Sequence, residues 1–499
     1  MLETELKFAV NASFAVPAFD EERTGVARVD KLEPLDLRAV YHDTPDLRLA
    51  RNGVTLRYRT GEGEKGGWQL KLPVKGDFIS REELHFDGGP RPIPHEARDL
   101  VTAFVRSGRL NPVATLRSKR RRWALTGPDD DLLAEIMDDE VSVFEGRRIM
   151  SRFREVELER RLANDEQLAR MADVLRESGA SQSEPIPKAI RALGPEATAP
   201  PDPPVVDVVD PAEPAHVAVR ASLSRAIHRI LTHDPLARLG DPEGVHQMRV
   251  GARRFRSDLR TFAPLIDPEW SEGLHERARD LAAFLGNVRD LDVLVEGFEK
   301  AGADIRSNLQ PLFDTLISRS ESAREEMLGL LRSERYVRLL DELVEAATEP
   351  IFSDVAAGDC GTVLPPLVEE RWQKLSDAAR TLSRDSPAEE FHDVRKKAKR
   401  ARYAAEAVAP ALGDRSKDAQ KFAKAIANVQ DVLGEHQDGI VAIQTIEDVM
   451  GETRRTPRFA YAAGRLAERQ IRAIDDNRAS FFKVWDDVDK KKHRRWLKQ

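Results

Sequence analysis

The chain has 499 residues, which is too many for one ordinary hydrophobic core, so two or three domains are expected. Its formal net charge is −7, from 79 basic and 86 acidic residues. A general nucleic-acid-binding protein would be basic overall, so nucleic acid is not the expected partner and any anion site must be a local concentration of Lys and Arg. The single cysteine excludes an intrachain disulfide framework and favours a reducing, cytoplasmic compartment. No apolar run reaches the roughly 18 residues that span a membrane, and the charged start has no signal-peptide pattern.

Charged and apolar residues alternate along several segments of the first 195 residues, which is typical of β-strands with one charged face. Helices are expected only around residues 95–107 and 165–178, so this region is predicted to be a strand-dominated antiparallel domain. The charged positions that share a strand face are Glu3, Glu5 and Lys7; Arg57 and Arg59; Lys119 and Arg121; and Glu155, Glu157 and Glu159.

Such a charged face has two interpretations. A single strand of this kind most often faces solvent. Several strands with the same habit indicate a wet, closed interior in which acidic and basic rows oppose each other, because such charges are costly to bury without partners or an ionic ligand. Carboxylates are the oxygen ligands that Mg²⁺ or Mn²⁺ prefers, and Arg and Lys bind phosphate oxygens. Together they predict metal-dependent attack of water on a bound triphosphate.

A proline-rich segment over residues 196–214 separates this first domain, residues 1–195, from the rest of the chain. Proline fixes φ and removes backbone donors, so the segment is expected to be a stiff, extended linker.

Beyond the linker the periodicity of apolar residues is near 3.6, which predicts an all-α domain over residues 215–490. Two signals repeat in this domain in the same order. His246 to Arg256 aligns with His392 to Arg402, and Leu285 to Asp290 aligns with Leu433 to Asp438. The offsets are nearly equal, which indicates a duplicated helical unit. The basic end, residues 491–499, is expected to be solvated or disordered.

The repeated helices each carry a basic stripe on one face. An exposed face paired with nearby acids is the ordinary interpretation. Two such helices brought together would instead form a positive surface suited to a polyanion, and each histidine is either a phosphate donor when protonated or structural. The polyanion-binding candidates are His246, Arg249, Arg253, Arg256, His392, Arg395, Lys396, Lys399 and Arg402.

The motifs of the first domain, taken in order, resemble those of CYTH domains, the triphosphate tunnel metalloenzymes. Glu3-x-Glu5-x-Lys7 resembles the family signature at the start of the chain. It is followed by the Tyr41–Pro45 element, the paired arginines Arg57 and Arg59, and later elements at Lys71, Arg81–Glu83, Arg117–Arg121, Glu135–Asp138, Glu155–Glu159 and Lys188.

This resemblance implies an eight-stranded antiparallel barrel with a tunnel, and Mg²⁺ or Mn²⁺ as cofactor. It implies that Glu3, Glu5 and Lys7 are catalytic. The implied metal ligands are Glu3, Glu5, Glu155, Glu157, Glu159 and Asp138, with Asp139 an alternative to Asp138. The implied triphosphate-binding residues are Lys7, Arg57, Arg59, Lys71, Arg81, Lys119, Arg121 and Lys188.

The second domain resembles the CHAD domain, the conserved histidine α-helical domain, in its two His-x-x-Arg helices and in the elements at Arg289–Asp292 and Gln430–Asp438. The resemblance implies two four-helix units around a basic cavity, binding of inorganic polyphosphate, and association with polyphosphate granules.

The predicted function is therefore hydrolysis of inorganic triphosphate, or a related triphosphate, by the first domain, with polyphosphate binding by the second. Two alternatives stay open. Both domains could bind polyphosphate without catalysis, as a scaffold. Adenylate cyclase activity, which some CYTH domains show, is the weaker alternative because no adenine pocket is evident in the sequence.

Overall fold

The computed structural model describes residues 2–61, 66–73, 79–182, 187–453 and 456–498, and the side chains of residues 2, 3, 79–82 and 182 lie outside that description. The chain divides into two compact units, Met1–Asp202 and Pro203–Gln499. The division falls inside the proline-rich segment. Each unit has a hydrophobic core of its own.

The first unit is built around an antiparallel sheet in the strand order β5-β4-β3-β2-β6-β7-β8-β1-β9. Because β1 pairs with both β8 and β5, eight of the strands close into a barrel, and β9 adds beside β1. The predicted eight-stranded antiparallel barrel is confirmed. The strands are β1 (Leu2–Ala9), β2 (Arg28–Asp43), β3 (Thr55–Thr60), β4 (Gly67–Pro73), β5 (Ile79–Phe86), β6 (Asn111–Thr126), β7 (Leu132–Glu145), β8 (Arg148–Arg160) and β9 (Ser181–Gln182).

A small barrel usually has apolar residues inside and polar residues outside, and in this barrel the arrangement is reversed. The apolar partners in β1 and β8, such as Phe8 and Leu158, belong to a core outside the barrel wall. Helix α5 covers that core with Leu168 and Met171, and it begins at a capping box between Asn164 and Gln167. The charged residues of the same strands therefore face the barrel interior.

The helices of the first unit are short apart from α5. Both predicted helical regions are confirmed, the first as the pair α3 and α4. The helices are α1 (Glu21–Thr24), α2 (Arg48–Arg51), α3 (His95–Leu100), α4 (Thr102–Val105), α5 (Asp165–Glu177) and α6 (Lys188–Leu193).

The second unit is all-α, as predicted. The two helices that carry the repeated motif, α8 and α13, contact each other. In each half a motif helix is followed by a helix of more than 30 residues, α9 or α14. That the halves are duplicated four-helix units stays a prediction. The helices are α7 (Ala215–Arg238), α8 (Pro242–Thr261), α9 (Pro268–Ala301), α10 (Gln310–Leu331), α11 (Glu334–Thr348), α12 (Cys360–Thr381), α13 (Ala388–Val408), α14 (Ser416–Glu452) and α15 (Pro457–Val488).

The proline-rich segment is not a free spacer. Its start forms a short 3-10 helix, Pro195–Thr198, in which Ala197 is buried in a cluster with Leu47 and Ala50 of the first unit. Further on, the Val209 amide donates to the Pro410 carbonyl of the second unit at 3.1 Å. Each end of the segment is thus packed on its own unit, because its few apolar side chains find buried places.

The basic end of the chain also differs from its expected solvated state. Residues Lys491–Lys498 form a 3-10 helix, and Trp496 is 1% exposed. The Trp496 ring lies 5.9 Å from that of Phe422, and the Arg494 guanidinium lies 4.5 Å from the Trp372 ring centroid. Burial of one large aromatic side chain therefore docks this segment on the helical unit.

Candidate functional sites

The barrel encloses a cavity of about 290 Å³. Its lining is mostly charged, and cations outnumber carboxylates. The charged lining residues are Glu5, Lys7, Arg57, Arg59, Lys71, Glu83, Arg120, Arg122, Glu135, Glu157, Glu159, Arg161 and Lys188, with Tyr41 and His85 among them.

The register of the strands orders the carboxylates into rows. Glu5 of β1 is directly opposite Glu159 of β8, which is directly opposite Glu135 of β7. Like charges at directly opposed positions destabilise a sheet unless a cation joins them. Arg161 contacts both Glu159 and Glu135. We call Glu5, Glu159 and Glu135 the carboxylate row.

Deeper in the cavity, two lysines neutralise a second group of acids. Lys188 Nζ lies 2.6 Å from Asp139, 2.8 Å from Glu157 and 3.1 Å from Glu155. Burial alone would lower the pKa of Lys188, but the carboxylates of Asp139 and Glu157 outweigh it and raise that pKa. Lys7 contacts Glu157 and lies 3.3 Å from Glu5. Burial would raise the pKa of Glu157, but Lys188 and Lys7 hold it well below its usual range.

Strands β3 and β4 supply a basic wall. Arg57 donates from Nε to Gln69 Oε1 at 2.7 Å and from Nη1 to the Tyr41 hydroxyl at 3.0 Å, which fixes the guanidinium plane. Lys71 Nζ lies 3.1 Å from Glu83. Burial would raise the pKa of Glu83, but Lys71 and Arg57 lower it to about 2. We call Arg57, Arg59 and Lys71 the basic wall.

Most of the predicted tunnel residues with described side chains meet in this cavity or its ion pairs. Glu3 and Arg81 are paired through their backbones across β1 and β5, but their side chains lie outside the described residues.

Three predicted residues face the other side of their strands. Lys119 and Arg121 of β6 do not line the cavity, whereas their neighbours Arg120 and Arg122 do. Asp138 is buried against Arg154, at 2.8 Å, while Asp139 contacts Lys188 and Arg120. The sequence pattern does not decide which of these residues face inward, because residues 119–122 are four consecutive cations and residues 138–139 two consecutive acids, and the implied ligand set has Asp139 as an alternative to Asp138.

The charged cavity residues to which no role was assigned from the sequence are Arg120 and Arg122, together with Glu135, Arg161 and Glu83. Glu83 and Glu135 lay in motifs that resemble those of the CYTH family, but they were not assigned a role. Arg161 follows the last residue of β8, beyond the alternating pattern that would have identified it.

Among the residues with described side chains, no group of three or more Asp, Glu, His or Cys stands in metal-ligand geometry. The donor chemistry nevertheless fits a hard divalent cation. The carboxylate row offers oxygen ligands on three adjacent strands, and a divalent cation bound there would compete for them with Arg161 and Lys7.

The second charged site lies where α8 and α13 meet. Arg249, Arg253 and Arg256 of α8 lie near Arg395 and Lys399 of α13, and we call these five residues the cation cluster. Burial first, and then these four arginines, lower the pKa of Lys399 to about 7. Burial and neighbouring cations also lower the pKa of Arg253 and that of Arg256. Within the described part of the chain, Asp290 pairs with Arg249 and Asp438 lies near Arg395, so the five cations outnumber these two acids.

Tyr403 lies at the centre of these cations. Its hydroxyl lies 3.4 Å from Nη2 of Arg253, and its ring centroid lies 4.4 Å from the Arg254 guanidinium carbon and 5.9 Å from Lys399 Nζ. The Nε atoms of Arg253 and Arg256 are buried without a hydrogen-bond partner in the described structure. Buried donors are normally satisfied, so these two indicate an absent acceptor.

The other predicted residues of the helical site have mixed surroundings. Arg249 lies 2.8 Å from Asp290, and Arg402 lies 2.8 Å from Glu406, whereas Lys396 is exposed. Burial lowers the pKa of His246, which favours its neutral form, and His392 Nδ1 is buried without a partner in the described structure. His275 was not anticipated from the sequence. It lies beside Arg256 and Arg260, and burial with these cations lowers its pKa to about 4.

A search of the described helices for one long and apolar enough to cross a membrane finds none.

Comparison with known proteins gives two family matches. The model of the CYTH domain matches residues 1–191, and that of the CHAD domain matches residues 221–447. An uncharacterized protein of Mycobacterium tuberculosis is 33% identical over 482 residues, covering 88% of this chain and 87% of that protein. Among solved structures, PptA from Streptomyces chartreusis has a TM-score of 0.48 at 22% identity, over 55% of this chain and 100% of its own. The CHAD domain from the plant Ricinus communis has a TM-score of 0.47 at 26% identity, over 56% of this chain and 94% of its own.

Proposed function

Because the chain belongs to the family of proteins in which a CYTH domain precedes a CHAD domain, we propose that it acts on condensed phosphate with both units. The barrel hydrolyses inorganic triphosphate, or a related triphosphate, with Mg²⁺ or Mn²⁺. The helical unit binds inorganic polyphosphate and brings the protein to polyphosphate granules.

The observation that carries the triphosphatase proposal is the separation of charge in the barrel cavity. The basic wall of β3 and β4 presents donors for phosphate oxygens, and Arg57 is already oriented by Gln69 and Tyr41. The carboxylate row presents oxygen ligands on the strands β1, β8 and β7. A triphosphate spanning the cavity would meet both kinds of group at once.

A divalent cation bound there would neutralise phosphate charge and lower the pKa of a coordinated water. Glu5 and Glu159, with Glu3 of the sequence motif, would hold it. Lys7 and Lys188 would then contact both the carboxylates and the phosphate oxygens. Arg57 and Arg59 would orient the triphosphate for in-line attack by water.

The substitution Glu5→Gln tests this assignment because it removes a ligand charge and keeps the shape of the side chain. Loss of one preorganised electrostatic group should reduce phosphate release from tripolyphosphate by at least about 100-fold. The matched control is Glu140→Gln, on the outer face of β7, which should keep the wild-type rate. A fully active Glu5→Gln protein would remove the metal-centred mechanism.

Binding of tripolyphosphate without hydrolysis is the second candidate function for the barrel. The ion pairs of Lys7 and Lys188 favour it, because these lysines already neutralise carboxylates that a metal ion would need as ligands. Tripolyphosphate binding that depends on Arg57, with no phosphate released under any metal condition, would establish a clamp or scaffold in place of an enzyme.

Polyphosphate binding by the helical unit is supported by the buried Nε donors of Arg253 and Arg256, which have no hydrogen-bond partner in the described structure. They lie in a cluster of five cations that outnumber the neighbouring acids Asp290 and Asp438. Charge reversal of Arg249 and Arg395 together should weaken polyphosphate binding and remove tagged protein from polyphosphate granules in cells. The same reversal of Arg277 and Arg338, which lie elsewhere on the helical unit, is the control. Granule association that survives the first double substitution would contradict this role.

A further inference from the structure

The outer wall of the barrel carries a second charged groove that the triphosphate cavity does not use. It has a volume of about 890 Å³. Four exposed cations line it: Arg38 of β2, Arg117 and Lys119 of β6, and Arg152 of β8. Lys119 is one of the residues that the sequence pattern had assigned to the interior.

Three arginines of the groove form one transverse row. Arg38 is directly opposite Arg117, Arg117 is opposite Ser142, and Ser142 is opposite Arg152. The row crosses three strand spacings of about 4.8 Å, or roughly 14 Å. Two arginines directly opposed across strands repel each other, so this arrangement costs stability unless an anion lies between them.

The three arginines of the row have no fixed counter-ion in the described structure. Within the described part of the chain, no ion pair or side-chain hydrogen bond reaches Arg38, Arg117, Lys119 or Arg152. Two acids also line the groove: Asp36 and Glu140 are both directly opposite Lys119 in the strand register, and Glu140 also pairs with Arg121 at 3.0 Å. Arg154 is engaged by Asp138 and by backbone carbonyls, so it does not add a free charge.

The rings of the groove favour an inorganic ligand over a nucleic acid. The guanidinium of Arg117 lies 5.1 Å from the Phe144 ring centroid, and that of Arg191 lies 4.3 Å from the Phe153 centroid. These contacts hold the arginines in place, and each covers one face of its ring, so fewer ring faces are open for a base to stack on. The groove thus presents a line of cations together with the Ser142 hydroxyl. Such a line complements a linear polyanion that carries a negative charge on every unit.

We propose that this groove is a separate binding site for inorganic polyphosphate on the outside of the barrel. The Arg38–Arg117–Arg152 row contacts successive phosphoryl groups, and the Ser142 hydroxyl donates to one of them. The ligand is the one named in the proposed function, on which this inference rests, but the site is distinct from both the cavity and the cation cluster.

Arginine labelling of the full chain with phenylglyoxal, read residue by residue by peptide mass spectrometry, tests the site. Long-chain polyphosphate at about ten times its dissociation constant should reduce labelling of Arg38, Arg117 and Arg152 about tenfold. Arg147 and Arg148, at the exposed β7–β8 turn, are the matched controls and should label equally with and without polyphosphate. Sulfate at the same ionic strength should protect none of them.

The double substitution Arg117→Glu and Arg152→Glu should abolish the protection of Arg38. These residues are exposed, so the barrel should stay folded, which circular dichroism verifies. Unchanged labelling of the row, or protection by RNA or poly-glutamate but not by polyphosphate, would overturn the inference. Protection of Arg57 in the cavity and Arg253 in the cation cluster is measured in the same digest. Loss of protection at those two residues would count against the proposed function, whereas loss at the arginine row alone would count against this site.

Discussion

The barrel cavity and the cation cluster both bury lysine, yet the two lysines respond in opposite directions. At Lys188, burial is outweighed by Asp139 and Glu157, and the pKa rises. At Lys399, burial acts together with Arg253 and Arg395, and the pKa falls to about 7. Lys188 is therefore surrounded by carboxylates, whereas Lys399 is surrounded by arginines, and within the described structure the cation cluster has one ion pair, between Arg249 and Asp290.

This difference separates two ways of using buried charge. In the barrel, the charge network is part of the fold, and a ligand must compete with existing ion pairs. In the cation cluster, burial and the neighbouring arginines both disfavour the charge on Lys399, and a bound polyanion would favour it. The first arrangement suits a substrate that is bound, converted and released, and the second suits a ligand that is retained.

The largest expected effect is on stability. Lys188→Met leaves the carboxylates of Asp139, Glu155 and Glu157 without their main cation, so it should lower the free energy of unfolding of the barrel by about 3–5 kcal/mol. Lys399→Met removes a repelled charge and should leave stability unchanged or raised. Urea unfolding followed by circular dichroism measures both. Lys119→Met is the control, since exposed substitutions usually change stability by less than about 0.5 kcal/mol.

Ligand affinity is the second contrast. Arg253→Ala removes a guanidinium with an unsatisfied buried donor, so polyphosphate binding should weaken by about 10- to 100-fold, the size of a lost charge-assisted hydrogen bond. Arg277, which is paired with Glu342 on the same unit, serves as the comparison, and Arg277→Ala should change the affinity little. Calorimetric titration provides the dissociation constants. Equal losses from the two substitutions would show that only total charge matters.

The pH dependence of binding separates the two sites further. A bound polyanion favours the protonated form of Lys399. At any pH at which Lys399 is deprotonated in the free protein, binding is therefore coupled to uptake of a proton by Lys399. Affinity should therefore be constant below pH about 7 and fall as pH rises above it, by at most about tenfold per unit for one linked proton. Lys399→Met should flatten this profile. A decline that persists in the variant would assign the effect to another group.

The smallest effect concerns the aromatic residue that orders the cation cluster. Tyr403→Phe keeps the ring under Arg254 and Lys399 but removes the hydroxyl near Arg253. Loss of one hydrogen bond worth about 0.5–1.5 kcal/mol should weaken polyphosphate binding by roughly two- to tenfold. Tyr403→Leu, which also removes the ring, should weaken it more. If both variants bind like the wild type, the cluster does not need this support.

Alternation predicted the barrel wherever one face of a strand is charged and the other apolar. In β1 and β8, Glu5 and Glu157 alternate with Phe8 and Leu158, and only one choice of inner face is possible. In β6, Lys119 to Arg122 offer cations to both faces, and parity is then decided by the pairing of strands that are distant in sequence. Asp138 and Asp139 on β7 present the same ambiguity.

Outside the barrel, composition was misleading where one side chain dominates the energy. The proline-rich segment was predicted to be an extended linker, but burial of Ala197 and a hydrogen bond from Val209 pack its ends. The basic end was expected to be solvated. Instead, burial of the Trp496 side chain stabilises its packing on the helical unit, although charged residues surround it in sequence. The contact between α8 and α13 is a tertiary contact, and the pattern of apolar residues within each helix does not predict which helices pack together.

Phosphate release from tripolyphosphate by the unmodified protein, with and without Mg²⁺ or Mn²⁺, is the most direct test of the triphosphatase proposal. Long-chain polyphosphate and ATP, assayed in parallel, rank the substrates. We expect release from tripolyphosphate that requires the metal ion, because a divalent cation on the carboxylate row would neutralise phosphate charge and activate a water. Folded protein that binds polyphosphate but releases no phosphate from any substrate, with either metal, would contradict the proposal.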